Sequence, residues 1–245
     1  VQAALVTETE GVMDARVVEQ RIRSENIHYP KTSLICVENT HNMAGGRVVP
    51  LSAMKEIYDV GKKHGIPVHL DGARIYNAAA YLGVEAREIA KYCDSVNVCL
   101  SKGLCAPVGS VLAGSREFIE RARKFRKMLG GGMRQAGILA AAGIIAIEKM
   151  SKRLKDDHDN ALLLAKGLNS LEGVSVDVDR VQTNLIMVDF GGTGLNGMQV
   201  AERLKQSGIL INGSSSSVVR FAVHYYITPD DVKRTVEAVD KIIKN

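Results

Sequence analysis

Three short apolar runs of this sequence end on residues able to do chemistry. Ser33–Val37 (SLICV) is followed by Glu38, Asn39, Thr40 and His41, Pro67–Leu70 by Asp71 and Arg74, and Ser95–Leu100 (SVNVCL) by Ser101 and Lys102. In an open parallel sheet, ligands bind beyond the carboxyl ends of the strands, so this polar set gathers where a site belongs. Lys102 follows a buried run and precedes Gly103, which predicts partial desolvation of its amine. Desolvation favours the neutral amine, the form that makes a Schiff base. Asp71, one strand away, suits the ring nitrogen of pyridoxal phosphate. A carboxylate there keeps the pyridine protonated, and the protonated ring is an electron sink. Each residue also has an ordinary reading: a surface lysine at a strand end, and a structural carboxylate at a helix start.

The positioning elements follow from the pattern around these runs. Leu51–His64 has helical spacing and ends at Gly65, Ala86–Tyr92 is a short helix, and Val108–Leu112 is a further strand. Arg116–Met128 is a helix leading to Gly130–Gly132, and Gln135–Ser151 is a long apolar helix continuing into polar Lys152–Leu168. This β-α-β-α order predicts an α/β fold, a mostly parallel sheet with helices on both faces. Beyond it, Val174–Val178, Leu185–Phe190, Met198–Ser207, Ile209–Ile211, Val218–Val223 and Pro229–Ile243 read strand, strand, helix, strand, strand, helix. Thr228 is the predicted N-cap of the last helix, with Asp230 and Asp231 in its first turn. The domains expected are a large one over residues 1–155 and a small C-terminal α+β one over residues 156–245.

Composition narrows the class. A net charge of +5, 46% hydrophobic and 24% charged residues over 245 positions are those of a soluble globular protein. The longest uncharged apolar run, Ala136–Ile147, falls short of the ~20 residues a membrane span takes, which predicts a buried helix. The N-terminus has no basic stretch followed by an apolar one, as a signal peptide would. Cys36, Cys93, Cys99 and Cys105 show no CxxC spacing and read as reduced thiols of a cytoplasmic protein. RARKFRK (Arg121–Lys127) is the one dense basic stretch. It reads as a solvated helix face, because no nucleic-acid reading module accompanies it. No histidine pair has metal-ligand spacing with a carboxylate, so no metal is expected. His64 suits a helix end, His69 reads as a core strand residue and His158 as part of a polar helix face. His224, four residues after Arg220, is expected to border a pocket.

Four strings carry a resemblance: ENTHNMAGGRVVP (Glu38–Pro50), HLDGARIYNA (His69–Ala78), CLSKGLCAPVGS (Cys99–Ser110) and RKMLGGGMRQAGILAAAG (Arg126–Gly143). VVRFAVHYYIT (Val218–Thr228) continues it more weakly. The chain resembles the low-specificity L-threonine or L-allo-threonine aldolases, pyridoxal-phosphate enzymes of the aspartate-aminotransferase fold. The resemblance implies a lyase that cleaves a β-hydroxy-α-amino acid such as threonine to glycine and acetaldehyde, in a homodimer or homotetramer. It implies that Lys102 bonds the cofactor aldehyde, that Asp71 partners the pyridine nitrogen, and that Arg74 lies beside the phenolic oxygen and the substrate. Arg220 matches the arginine that grips the substrate carboxylate, a pairing suited to bidentate contact. His28 matches a histidine near the substrate side chain, suited to taking the β-hydroxyl proton. Lys127 matches a lysine near the pocket, with a plain helix-face cation as its other reading. Asn39 is expected to hydrogen-bond the cofactor, with Thr40 as the alternative.

The sequence also departs from that family. Members are longer at the N-terminus, where a Gly-Thr turn at a helix start binds the cofactor phosphate and a further residue stacks on the ring. Neither is found before Lys102, and the chain begins at Val1 without a Met. The expectation is therefore a large domain incomplete at its N-terminus, and a chain that is cofactor-poor and weakly active or inactive as it stands. The alternatives are a β-eliminating pyridoxal lyase of the same fold, yielding pyruvate and ammonia, and a non-catalytic fragment that keeps the fold.

Overall fold

The structure, a computed structural model, describes residues 1–244. The chain forms two compact units. One comprises Val1–His41 and Val48–Lys152, the other Asn42–Arg47 and the chain from Arg153 onward.

The first unit begins with β1 (Glu8–Thr9) and β2 (Val12–Met13), a small antiparallel pair, and α1 (Ala15–Arg21), capped by Asp14. Then come β3 (Ile35–Glu38), α2 (Leu51–His64), β4 (Val68–Asp71), α3 (Ile75–Leu82), α4 (Ala86–Ala90), β5 (Ser95–Cys99), β6 (Ser110–Gly114), α5 (Arg116–Met128) and α6 (Gly137–Glu148). The sheet runs β3-β4-β5-β6. β3, β4 and β5 are parallel, and β6 is antiparallel to β5. The reversal follows from the link: Leu100–Gly109 is shorter than the dozen or more residues of a parallel crossover.

The strands alternate. Ile35, Val37, Val68, Leu70 and Val96 enter one core with Met54 and Ile57 of α2, Ile75 and Ala78 of α3, and Ile89 of α4. By the period of two, Cys36, Glu38, His69, Asp71, Ser95 and Asn97 occupy the opposite face. α2 packs closely onto this sheet. A Cβ on Gly61 would lie 2.8 Å from both the Ile66 carbonyl and Val68 Cγ2.

The expected buried helix over Ala136–Ile147 is corrected. α6 buries only Gly143 and Ala146, while Ile138, Ile144 and Ile145 are exposed. A helix apolar on every side cannot hide all of itself against one neighbour. Nor does it continue unbroken, since a 3-10 turn at Met150–Arg153 separates it from the next helix.

The second unit contains α7 (Leu154–Asn169), β7 (Leu185–Asp189), α8 (Gly197–Lys205), β8 (Val218–Ala222) and α9 (Pro229–Ile243). β7 and β8 pair antiparallel, with Met187 opposite Arg220. Ile186, Val188, Val219 and Phe221 of this pair join Leu164 and Leu168 of α7, Val200 and Leu204 of α8, and Val232 and Val239 of α9 in the core. α9 starts on a capping box of Thr228 and Asp231 with Pro229 in its first turn, as the sequence indicates. Two expected strands do not form. Val174–Val178 contributes one isolated bridge, Ser175 to Asp189, and Ile209–Ile211 has no ladder partner. Val174 and Val176 are buried, and Ile209 and Ile211 pack on the core. Alternating apolar residues secure burial, and a strand needs a hydrogen-bonding neighbour as well.

Candidate active site

Because β3, β4 and β5 are parallel, their carboxyl ends share one sheet edge. There the register sets Glu38 opposite Asp71 and Asp71 opposite Asn97. Asp71 Oδ1 accepts from the Ala73 N–H and from Asn97 Nδ2, each at 3.1 Å. Neither of these bonds uses Oδ2. The turn after Asp71 lies against β5, and only glycine fits there: a Cβ on Gly72 would meet Val96 Cγ2 at 2.7 Å and the Asn97 carbonyl at 2.9 Å. That turn places Arg74, half-buried, at the N-cap of α3. Lys102 lies in the loop from β5 to β6, which backbone bonds from Cys105 N–H to Lys102 O (2.9 Å) and from Ala106 N–H to Leu100 O (2.9 Å) fold tightly. Gly103 and Leu104 are buried behind it, and Lys102 itself is exposed. The partial desolvation expected of its amine is therefore corrected: Lys102 is exposed among the described residues.

Asn39 is engaged within the first unit. It is fully buried, its Nδ2 donates to the Val49 carbonyl and its Oδ1 accepts from the Val49 N–H, both at 3.1 Å. These bonds pin the β3 end to the chain entering α2. Beside it, Thr40 Oγ1 is buried without a hydrogen-bond partner among the described residues. His41 Nε2 lies 3.8 Å from Glu38 Oε2. His28 is exposed in a turn whose backbone is held by Asn26 Oδ1 at 2.9 Å, and no described hydrogen bond joins its ring to the strand ends. Lys127 is exposed in the last turn of α5, a helix with no buried residue.

In the second unit Arg220 Nη1 donates to Asn42 Oδ1 at 2.6 Å. Asn42 leads the Asn42–Arg47 loop, which Thr183 holds by donating from Oγ1 to the Gly46 carbonyl at 2.8 Å. Gly45 and Gly46 are both left-handed, with φ of 74° and 76°. Met187, opposite Arg220, lines a cavity with Met43, Gly45, Arg180 and Leu185. His224 Nδ1 accepts from the Tyr226 N–H at 3.4 Å.

Two further ionisable groups of the second unit are wholly or partly buried. Asp157 is fully buried and pairs with Arg153 at 2.7 Å, and Tyr225 covers that guanidinium at 5.0 Å. Burial pushes the Asp157 carboxyl up, against the pull of Arg153. His158 is half-buried rather than on a polar face, and burial pushes its pKa down to about 4.

Two residues of the site are missed by sequence reasoning. Asn97 carries a weak signal, an amide inside the apolar run SVNVCL. Asn42 carries none, since its partner is 178 positions away. His69, read as a plain core residue, bonds Ser95 Oγ and Asn97 Oδ1 through its two ring nitrogens.

Among the described residues no three His, Cys, Asp or Glu converge as a metal site requires, and no helix is long and apolar enough to cross a membrane. The family model described as beta-eliminating lyase matches residues 1–191. The chain is 44% identical over 94% of its length to low-specificity L-threonine aldolase 1 of Arabidopsis thaliana, covering 65% of that protein. It is 42% identical over 91% of its length to the low specificity L-threonine aldolase of Escherichia coli K12, covering 64%. This chain thus spans just under two thirds of each of these two relatives. The solved threonine aldolase of Leishmania major superposes with a TM-score of 0.75, at 17% identity, over 96% of this chain and 68% of that one.

Proposed function

This chain belongs to the beta-eliminating lyase family, and from that premise we propose that the protein is a pyridoxal-phosphate-dependent aldehyde-lyase cleaving L-threonine or L-allo-threonine to glycine and acetaldehyde. The observation that carries the proposal is the strand-end set of the first unit. Asp71 presents a carboxylate whose two bonds both fall on Oδ1, with Arg74 in the turn that follows and Lys102 past the end of the neighbouring strand. This donor set suits the cofactor's chemistry: a carboxylate for a protonated ring nitrogen, an amine for an aldehyde, a guanidinium for a phenolic oxygen. Pyridoxal phosphate, when bound, supplies the sink for the electron pair released as the Cα–Cβ bond breaks.

The chain's own residues have the following roles in this reading. Asp71 Oδ2 holds the proton on the ring nitrogen. Lys102 Nζ would hold the cofactor through its aldehyde. Arg74 neutralises the phenolic oxygen, and Arg220 binds the substrate carboxylate. His28 Nε2 or Nδ1 takes the β-hydroxyl proton, and Lys127 contributes a cation near the substrate. Asn39 positions the β3 end through Val49, and Thr40 is the residue of the pair with a buried hydroxyl to offer. The first unit serves as the cofactor-binding large domain, and the second as the small domain carrying Arg220.

We further propose a cytoplasmic homodimer or homotetramer that binds neither nucleic acid nor membrane. The exposed Ile138, Ile144 and Ile145 of α6 support a seat for a second copy, and light scattering after gel filtration tests it. The family description also favours a second reading, β-elimination. Products decide: glycine and acetaldehyde support the aldolase, whereas a 2-oxo acid and ammonia overturn it. Adding pyridoxal phosphate to the full-length protein should give a visible absorption band that Lys102→Ala removes. A band unchanged in that variant refutes the role of Lys102.

A further inference from the structure

We propose that Asn97 and His69 are positioning residues that set the orientation of the Asp71 carboxylate, through a relay Ser95–His69–Asn97–Asp71 across β4 and β5. The inference rests on the reading of Asp71 as the partner of the cofactor ring nitrogen. His69 pairs with Ser95 in the strand register and Asp71 with Asn97. Residues two apart on a strand share a face, so the four side chains form two adjacent rungs on the polar face of the sheet. His69 Nδ1 is 2.8 Å from Ser95 Oγ, and His69 Nε2 is 3.2 Å from Asn97 Oδ1. Asn97 Nδ2 is 3.1 Å from Asp71 Oδ1.

The charge of Asp71 fixes the direction of every bond. An ionised carboxylate only accepts, so Asn97 turns its amino group toward Asp71. Its Oδ1 then faces His69 and can only accept, so His69 donates from Nε2. In the neutral ring Nδ1 is left to accept from the Ser95 hydroxyl. The opposite amide orientation sets Asn97 Oδ1 against the carboxylate and leaves two acceptors facing each other. Ser95 is buried at 8% exposure, which anchors the far end.

The relay settles which oxygen the site offers. A carboxylate turns easily about its terminal torsion, whose profile is broad and two-fold. With the Ala73 N–H and Asn97 Nδ2 both on Oδ1, turning loses two bonds together. Oδ2 is then held in one direction, ready for a ring N–H. Removing Asn97 leaves the carboxylate charge in place and loosens its orientation, with only the Ala73 N–H still on Oδ1.

The experiment compares pyridoxal phosphate with its analogue bearing carbon in place of the ring nitrogen. Dissociation constants are measured by absorbance and fluorescence on the full-length protein, for wild type, Asn97→Ala, His69→Ala, His69→Gln and Asp71→Asn. Asn97→Ala should weaken pyridoxal phosphate about five- to tenfold, one charge-assisted contact loosened rather than lost, and leave the carbon analogue unchanged. His69→Ala should show a smaller loss of the same kind, and His69→Gln, which keeps a donor, should restore it. Equal weakening of both ligands, or of neither, overturns the relay. If Asp71→Asn leaves the preference for pyridoxal phosphate intact, the reading of Asp71 itself fails. Nitrogen-15 NMR adds a test without cofactor: His69 should carry its proton on Nε2, and a proton on Nδ1 alone overturns the relay.

Discussion

Gly46→Ala tests how the loop that meets Arg220 is held. Gly46 has φ of 76°, and an ideal Cβ there would lie 2.4 Å from Thr183 Oγ1 and 3.1 Å from Leu185 Cβ. The left-handed backbone costs alanine about 1–2 kcal/mol. The clash adds ~1–3 kcal/mol of overpacking. Thr183 is fully buried and cannot swing into solvent. Turning its hydroxyl aside breaks the 2.8 Å bond to the Gly46 carbonyl, worth about 1 kcal/mol. Together these give a loss of about 3–6 kcal/mol. Thr183→Ala alone should cost about 1–2 kcal/mol, from the bond and the small void. It also removes the atom that the added methyl group would strike, and both singles lose the same bond, so the double variant should be more stable than the sum of the singles by about 2–4 kcal/mol. Urea midpoints at constant slope measure all three. Singles that add within about 0.5 kcal/mol refute the contact as the source of the cost.

Three further outcomes are expected. His158, held neutral in the fold with a pKa of about 4 against an ordinary 6.5, takes up its proton only on unfolding between those values. Its stabilising contribution is full above pH 6.5 and is lost as pH falls toward 4, about 3 kcal/mol in all at 1.36 kcal/mol for each pH unit between the two. His158→Gln should flatten that part of the stability profile, read from urea midpoints at about pH 7 and about pH 4.5, and parallel profiles refute it. Asp157→Ala strands the Arg153 guanidinium beside Tyr225 and should cost about 3–5 kcal/mol. Replacing both partners by Leu and Met should be far milder in a thermal melt, and equal losses refute the ion-pair account. If Arg220 binds the substrate carboxylate as proposed, Asn42→Ala should raise KM for threonine about five- to tenfold, the loss of one charge-assisted bond, with kcat changed less than twofold. A kcat effect without a KM effect refutes Asn42 as the residue orienting Arg220.

The sequence makes the strand-end set legible because two regularities meet there: apolar runs mark the strands, and parallel strands deliver their carboxyl ends to one edge. Asp71, Arg74 and Lys102 follow from that alone. The direction of β6 is decided by the length of a connection, so it does not appear in an apolar pattern. α6 shows the same limit: its composition says that it avoids water, and nothing in it says which neighbour covers it. Arg220 is conspicuous only by resemblance, and Asn42 becomes visible only when the chain returns to it. His158 misleads because the residues beside it, Asp157 and Asp159, look like a polar face, while Asp157 itself is buried.

Asn97 shows why an alternating strand can serve folding and chemistry together. A slip of one residue in β4 would turn His69 and Asp71 into the core and expel Val68 and Leu70, and one in β5 would bring in Ser95 and Asn97 and expel Val96. Burying that set without its partners would cost several kcal/mol per group, so the core fixes the register, and the register fixes the rungs. The polar face needs no separate device to align it. An apolar substitution of Asn97 need not disturb the core on the other side, which is why its effect should be sought in ligand orientation rather than in the stability of the unit.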